Sequence, residues 1–495
     1  MFINPTTLKR EWLSNIQNDI LAGAVVALAL IPEAIAFSLI AGLDPQSGLY
    51  ASFLIAIVTA VFGGRTALIS GATGAIALLV VHLVKDHGVE YLFWATILMG
   101  IFQIIFGMCK LGKQMKYIPR AVIIGFVNAL AILIFLAQLP QLNNASLTVY
   151  VITAVGLAIM YILPRLTTIV PAPLVAIISL TAVSIIFNLD VPTVGDMGKL
   201  PTSLPVFHFP EAPLNFETLQ IIFPFSLTMA IVGLLESLLT ASILDELTDS
   251  PSDKNRESTG QGLANIIAGF FGGMGGCAML GQSVINIQSG GRTRLSSCVS
   301  GVFLLGFILF LGEWVRQIPM ASLVAVMMMV AIGTFNWPSV KNMKKVPRSE
   351  TMVMITTVIV TILSHNLAIG VIIGIVLSTV FFSRNIAQLV FVDKYVDETK
   401  QKCTYSISGQ LFFIAIDEFL ESFDFEEVFE LVIIDLTNAH LWDQAAITAI
   451  DKVVLKFRRH GAEVSLIGLN EASATLLNRL AIHNDPDALE KMAGH

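Results

Sequence analysis

ISGATGAIALL, residues 69–79, has the polarity of a membrane core but not the shape of an ordinary spanning helix. From Ser70 to Ala75 every side chain is small, so the backbone is left open to close neighbours. A crossing needs about 20 apolar residues, and the apolar run around this stretch, 67–84, is short for one. A second run of the same character, GGMGGCAMLGQS, occupies 272–283. Each follows a lone carboxylate at a fixed distance. Thr73 lies forty residues after Glu33 in ALALIPEAIAFSLIAGL (27–43), and Gly276 lies forty after Glu236 in LTMAIVGLLESLLTASIL (227–244).

Composition sets the solvent. Hydrophobic residues make up 55% of the 495 and charged residues 13%, against about 25% charged in soluble domains. The mean hydropathy is +0.78. The chain is therefore expected to be a polytopic α-helical membrane protein. A net charge of −7 offers no basic surface for nucleic acid. Cys109, Cys277, Cys298 and Cys403 lie far apart, without metal-ligand or disulfide spacing, and are expected to be free thiols. No cofactor, resident metal or catalytic nucleophile–base pair is indicated, so an enzyme is not expected. The polar start, MFINPTTLKREWLSNIQNDI, lacks a small-residue cleavage site before a hydrophobic core and reads as a mature amphipathic segment.

Fourteen apolar segments are expected, near 20–41, 48–63, 67–84, 92–109, 118–137, 147–163, 171–188, 219–243, 257–272, 275–288, 295–312, 319–335, 351–366 and 368–388. With an inner start, 15 basic residues fall on the inner side: Arg65; Lys110, Lys113, Lys116 and Arg120; Arg165; Lys254 and Arg256; Arg292 and Arg294; Lys341, Lys344, Lys345 and Arg348; and Arg384. Only Lys85, Lys199 and Arg316 fall outside. This asymmetry puts both termini in the cytoplasm of a cell or inner membrane. The organisation expected is a lead-in at 1–19, seven spans at 20–190, seven at 191–388, a linker at 389–400, and an α/β domain with a tail at 401–495. In that last region KCTYSIS and QLFFIA read as two strands joined by a glycine turn. ELVIIDLT and EVSLIG read as strands, with helices at IDEFLESF, AAITAIDKVVLKFRRHG and EASATLLNRL.

Glu33 and Glu236 stand in the first span of each half, and each small-residue stretch opens the third. Seven is odd, so the halves enter the membrane in opposite directions. That is an inverted repeat whose interrupted helices 3 and 10 mark a midplane site. Half-helices starting near Thr73 and Leu280 would face each other with open N–H groups and partial positive charge, enough to hold an anion without lysine or arginine. A carboxylate at mid-membrane costs ~2.5–3.5 kcal/mol. The economical use of Glu33 and Glu236 is to bind a co-transported cation, Na⁺ or H⁺. Ser237 and Thr240 add oxygen ligands near Glu236, while Pro32 is expected to loosen the first helix beside Glu33.

PEAIAFSLIAGLDPQSGLYASF (32–53), GGRTALISGATGAIALL, NRESTGQGLANIIAGFFGG and VINIQSGGRTRLS resemble, in order, the motifs of the SulP anion transporters, the sulfate permease family. The C-terminal region resembles the STAS domain shared with anti-sigma-factor antagonists. The resemblance implies two inverted seven-span repeats, a core domain moving against a gate domain, and a homodimer. It places the anion between the N-terminal ends of spans 3 and 10, at Thr73, Gly74, Ala278 and Met279. It also implies Na⁺ ligation by the eighth-span acid, here Glu236, with Thr240 one turn later, as in cyanobacterial bicarbonate members. Glutamate at this position is found in many proton-coupled sulfate members. Glu33 stands where many members carry glutamine, and CAMLGQS (277–283) lacks the Ala-Thr or Ala-Arg pair of others. In LWDQAAIT, Gln444 follows Asp443 where antagonists carry a phosphorylated serine.

The reading is a secondary transporter of a small inorganic anion, bicarbonate or sulfate, coupled to Na⁺ or H⁺ by alternating access. An anion exchanger and a nucleobase-type proton symporter of the same architecture are the alternatives. A channel fits less well, because broken helices with midplane carboxylates suit alternating access.

Overall fold

The computed structural model describes residues 5–112, 118–166, 171–364, 366–387, 390–397, 401–483 and 485; Lys113 and Lys116, part of the expected linker and most of the tail lie outside the described residues. The chain forms two compact units, Met1–Ile375 and Val376–His495.

In the first unit, α1 (Pro5–Leu13) precedes α2 (Ile16–Ile40) and α3 (Pro45–Phe62). A three-residue strand β1 (Ser70–Ala72) leads into α4 (Gly74–His87), followed by α5 (Val89–Met108), α6 (Arg120–Leu142), α7 (Leu147–Leu166) and α8 (Ala172–Ile186). After the short α9 (Val194–Met197) come α10 (Phe216–Thr248), α11 (Lys254–Phe270), strand β2 (Gly276–Ala278), α12 (Leu280–Gln288), α13 (Arg294–Arg316) and α14 (Met320–Thr334). The short α15 (Trp337–Lys341), α16 (Arg348–Ser364) and α17 (Leu367–Ala387) complete the helical series, the boundary between the two units falling within α17. Each expected apolar segment overlaps one of these helices, and among the described residues eight helices are long and apolar enough to cross a membrane by length and composition.

Pro32 does not interrupt α2, which runs unbroken from Ile16 to Ile40. Proline removes one N–H and crowds the preceding turn, and neighbouring helices in a packed bundle absorb that loss. Residues 34–37, just beyond it, are buried against the rest of the unit.

Packing pairs recur between the halves. α2 packs on α13 as α10 packs on α5; α3 on α13 as α11 on α5; α6 on α16 as α14 on α7; and α4 on α10 as α12 on α2. At the centre β1 and β2 pair antiparallel, Ser70 opposite Ala278 and Ala72 opposite Gly276. Extended backbone inside a bilayer must find every hydrogen bond within the protein. Beyond the ladder, side chains supply them. Ser52 Oγ of α3 accepts from Ala72 N (3.1 Å), Ser237 Oγ of α10 from Ala278 N (3.0 Å), and Ser283 Oγ of α12 from Ile69 N (3.0 Å). Asn265 of α11 holds Gly276 at both ends, its Oδ1 accepting from the N–H at 2.9 Å and its Nδ2 donating to the carbonyl at 3.1 Å. A Cβ on Gly276 would lie 2.1 Å from the Gly71 carbonyl oxygen, so only glycine lets the two strands cross there.

The loop before β1 is pinned as firmly. Glu257 of α11 is buried, and its Oε2 accepts from Gly64 N at 2.7 Å and Arg65 N at 3.1 Å. Arg65 pairs with Asp245 of α10 at 3.0 Å. Arg294, expected to be a topology anchor only, is buried; it pairs with Glu11 of α1 at 2.7 Å and donates to the carbonyls of Ala60 and Gly63. Its charge is matched because a buried guanidinium left unpaired costs several kcal/mol.

The second unit holds a four-stranded sheet in the order β3 (Phe391–Val396), β4 (Lys402–Leu411), β5 (Leu431–Leu441), β6 (Glu463–Ile467); the first pair is antiparallel and the others parallel. The segment read as a linker thus contributes β3. The expected glycine turn is absent: Gly409 lies inside β4 opposite Ala439, at φ +114, just after a register shift between Ser406 and Ser408. A bulge carries the strand through a residue that local propensity assigns to a turn. Helices α18 (Ile416–Glu421), α19 (Gln444–Arg459) and α20 (Glu471–Leu480) complete the unit. Ile447, Ile450, Val454 and Phe457 of α19 join Tyr405 and Val432 of the sheet in one core. Asp443 caps α19 through Ala446 N (2.9 Å) and also accepts from Phe413 N (2.9 Å), fixing the helix start against the end of β4.

Replacing Asn265 by leucine orphans both backbone groups of Gly276, at about 1–3 kcal/mol each. The thermal unfolding midpoint of the detergent-purified Asn265→Leu variant is expected to fall clearly below that of the unaltered protein. An unchanged midpoint would show that the central strand pair does not depend on this clamp.

Candidate functional site

The antiparallel pair dictates the geometry of the two short helices. α4 leaves the ribbon from the Ala72 end and α12 from the Ala278 end, so they run in opposite directions with both N-termini at the centre. Met279 N donates to Ile69 O (2.8 Å), extending the ladder. The N-cap residues Thr73 and Met279 are therefore four strand steps apart, roughly 13 Å at 3.3 Å per step. Neither makes a side-chain bond to its own helix. The first-turn N–H groups of both helices therefore stay uncapped by side chains, as an anion site at two helix ends requires.

The predicted residues gather here. Thr73, Gly74, Ala278 and Met279 are buried at the two helix starts, and Leu280, the first residue of α12, is 42% exposed. Glu236 lies on α10, which packs on α4, α12 and β2. Its Oε2 accepts from Cys277 Sγ at 2.8 Å, and the same sulfur is 3.2 Å from Thr73 Oγ1. Thr240 is buried one turn from Glu236 on the same helix face. Ser237 is committed to the backbone of Ala278. Glu33 of α2 is buried and accepts a hydrogen bond from Gln282 Nε2 in the first turn of α12.

Sequence reading did not single out Cys277, Gln282, Asn265, Gln261 or Ser52. Gln261 and Asn265, four apart in an otherwise small and apolar stretch, carried a legible signal: polar side chains on one face of a buried helix need partners. Gln261 donates to Ser70 Oγ at 2.7 Å and Asn265 to Gln103 Oε1 at 2.9 Å. For Cys277 and Gln282 no signal pointed to a partner, since a thiol and an amide in a glycine-rich run are equally well explained by packing.

A cavity of about 270 Å³ lies between α2, α4, α6 and α14, lined by apolar residues apart from Gln138 and Gln141. It sits at the seam between the helices that carry the site and the α6–α14 pair.

Comparison with known proteins agrees with this architecture. The sulfate permease family profile matches residues 16–149 and 140–357, and the STAS domain profile matches 394–491. "Putative sulfate transporter YbaR" of Bacillus subtilis (strain 168) is 55% identical over 478 residues, covering 97% of this chain and 100% of that protein. The transmembrane domain of a cyanobacterium bicarbonate transporter, BicA, matches at a TM-score of 0.66 and 26% identity, over 74% of this chain and 98% of that one. The murine Solute Carrier 26 family member A9 anion transporter matches in fold, with a TM-score of 0.78 at 16% identity over 98% of this chain and 92% of that one. With the helical transporter fold, the uncapped helix ends and a match across nearly its whole length, this chain is a multi-pass membrane protein that belongs to the sulfate permease family and carries a STAS domain.

Proposed function

We propose that the protein is a secondary transporter that moves a small inorganic anion, sulfate or bicarbonate, together with Na⁺ or H⁺ by alternating access. The observation that carries this reading is the antiparallel ribbon, which sets two helix N-termini at its two ends beside a buried and a half-buried carboxylate. The helix ends supply N–H donors and roughly half a positive charge each. Glu236 and Glu33 would repel an anion unless neutralised, and a cation bound with the substrate removes that repulsion. The name of YbaR favours sulfate and that of BicA bicarbonate.

The recurring packing pairs support fourteen spans in two inverted seven-span repeats. Exchanging α2–α8 for α10–α14, α16 and α17 maps each of those pairs onto another observed pair. The pattern breaks where α7 packs on α8 and α4 on α5 without comparable counterparts among the described residues, and along the seam of the site-bearing helices with the α6–α14 group. α4 packs on α6 and α2 on α14, whereas among the described residues α12 with α14 and α10 with α6 show no comparable packing. The seam is thus closed on the side of α4 and open on the side of α12, where Leu280 is exposed. With the basic loops read as cytoplasmic, the α12 side is the inner one and this conformation is inward-facing. The termini are cytoplasmic on the same ground, and the homodimer expected of the family joins the proposal.

Proteoliposome uptake tests the reading. Labelled sulfate and bicarbonate are offered in parallel under an imposed Na⁺ or pH gradient, and uptake of one of them that follows one gradient is expected. Accumulation that ignores both gradients would exclude cation-coupled transport. Glu236→Gln is expected to abolish gradient-driven uptake in a folded protein. Thr73→Val removes a donor to a charged ligand, about 1.5–3 kcal/mol, and is expected to weaken anion affinity roughly 10- to 150-fold.

The inward-facing state has its own test. A side chain at Gly281 meets nothing within 4 Å. In Gly281→Cys, a membrane-impermeant maleimide is expected to label position 281 from the cytoplasmic side, with protection by the transported anion. Labelling from the outer side alone would reverse the orientation.

A further inference from the structure

We infer that the Cys277 thiol is the positioning residue that links cation occupancy at Glu236 to anion binding at Thr73. The inference rests on the transport reading above, with Na⁺ as the cation.

The geometry is a three-member chain through the centre of the protein. Cys277 Sγ is 2.8 Å from Glu236 Oε2 and 3.2 Å from Thr73 Oγ1. Cys277 itself is fully buried, in the middle of β2 opposite Gly71. A carboxylate only accepts, and a thiol has one proton. The S–H is therefore committed to Glu236, and in the Thr73–Cys277 contact the threonine hydroxyl is the donor. Thr73 also has one proton. While that proton points at sulfur it cannot point at an anion at the α4 N-terminus, and Thr73 makes no other side-chain bond that would orient it.

Na⁺ at Glu236 draws on the carboxylate oxygens that the thiol uses. Released from Glu236, the S–H turns to the Thr73 oxygen, and the Thr73 O–H is freed to donate to the anion. No bond beyond hydrogen bonds and ion coordination changes. Each ligand thus favours the other, and the coupling factor is the same in both directions. The device uses one donor that can serve one acceptor at a time, so it needs no movement of helices.

Alanine at 277 breaks the chain and leaves Thr73 permanently free, whereas serine keeps one proton and one acceptor in the same place. The test measures sulfate and bicarbonate affinity of the purified full-length protein by calorimetry, in saturating Na⁺ and with Na⁺ replaced by choline. For the unaltered protein, Na⁺ is expected to tighten anion binding by about 5- to 150-fold, the usual span of such couplings. In Cys277→Ala, the choline affinity is expected to rise toward that of the unaltered protein in Na⁺, and the Na⁺ effect to shrink to the part that neutralising Glu236 alone supplies. Cys277→Ser is expected to restore the Na⁺ effect. A residue that merely fills space would weaken binding under both conditions, and that outcome overturns the inference. So does a Cys277→Ala protein that keeps the full Na⁺ effect, with the transport reading left intact. An unaltered protein whose anion affinity ignores Na⁺ overturns the Na⁺-coupled reading and this inference together. A melting profile of each variant separates loss of linkage from loss of fold.

Discussion

Everything at the centre of this protein follows from one requirement: six residues of extended backbone must be fully hydrogen-bonded where no water is at hand. A lone strand in a bilayer would leave a row of N–H and C=O groups open, each costing several kcal/mol. β1 and β2 meet part of that need by pairing with each other. Further groups are met by Ser52, Ser237 and Asn265, and Ser283 holds the neighbouring Ile69 N–H, so four different helices contribute. The ribbon therefore binds α3, α10, α11 and α12 into one body, and the short helices that leave it inherit fixed directions. Anion chemistry is a by-product of this solution. Two helices that start mid-membrane necessarily present unsatisfied donors there, and a site with no fixed cation can release a small anion as readily as it takes it.

The same body carries its acids on the segment that makes the ribbon. Glu236 is held by Cys277 in β2, and Glu33 by Gln282 in the first turn of α12. Both carboxylates, although some two hundred residues apart, report to six consecutive positions of the chain. Neutralising either one changes the hydrogen bonding of the lead-in to α12, the half-helix whose end lies open. In the proposed cycle, cation occupancy and access would thus be physically adjacent, which is what coupled transport demands.

Much of this was written in the residues themselves. The paired spacing of Glu33 to Thr73 and of Glu236 to Gly276 pointed to the two segments that pair as β1 and β2, and small-residue runs marked where the short helices begin. The half-helices start at Gly74 and Leu280, where the sequence placed them. Partners were not legible. Thr73 and Cys277 are 204 residues apart, Gln282 and Glu33 249 apart, and a polar side chain in an apolar run announces a need without naming who answers it. Arg294 illustrates the limit: charge near a span end reads as a topology signal, yet here it is a buried tie between α1, α13 and the end of α3. Pro32 and Gly409 fail in the opposite sense. Local preference predicts a break, and the packing around α2 and the ladder of β4 override it.

The polar ties also divide by depth. Around the ribbon they are neutral: serine, asparagine and glutamine bonded to backbone or to one another. Toward the basic loops they become ionic, with Arg65 on Asp245, Arg294 on Glu11, and Glu257 on the N–H groups of Gly64 and Arg65. The order makes physical sense. An ion pair costs least near the interface, where water and opposite charge share its field, and fixed charges there leave the midplane potential to be set by whatever occupies it. With Glu33 and Glu236 the carboxylates beside the helix ends among the described residues, a bound cation would be the largest positive charge the site can acquire. In the proposed cation-coupled cycle, its arrival or departure is the event to which the neutral hydrogen bonds of Thr73, Cys277 and Gln282 would respond.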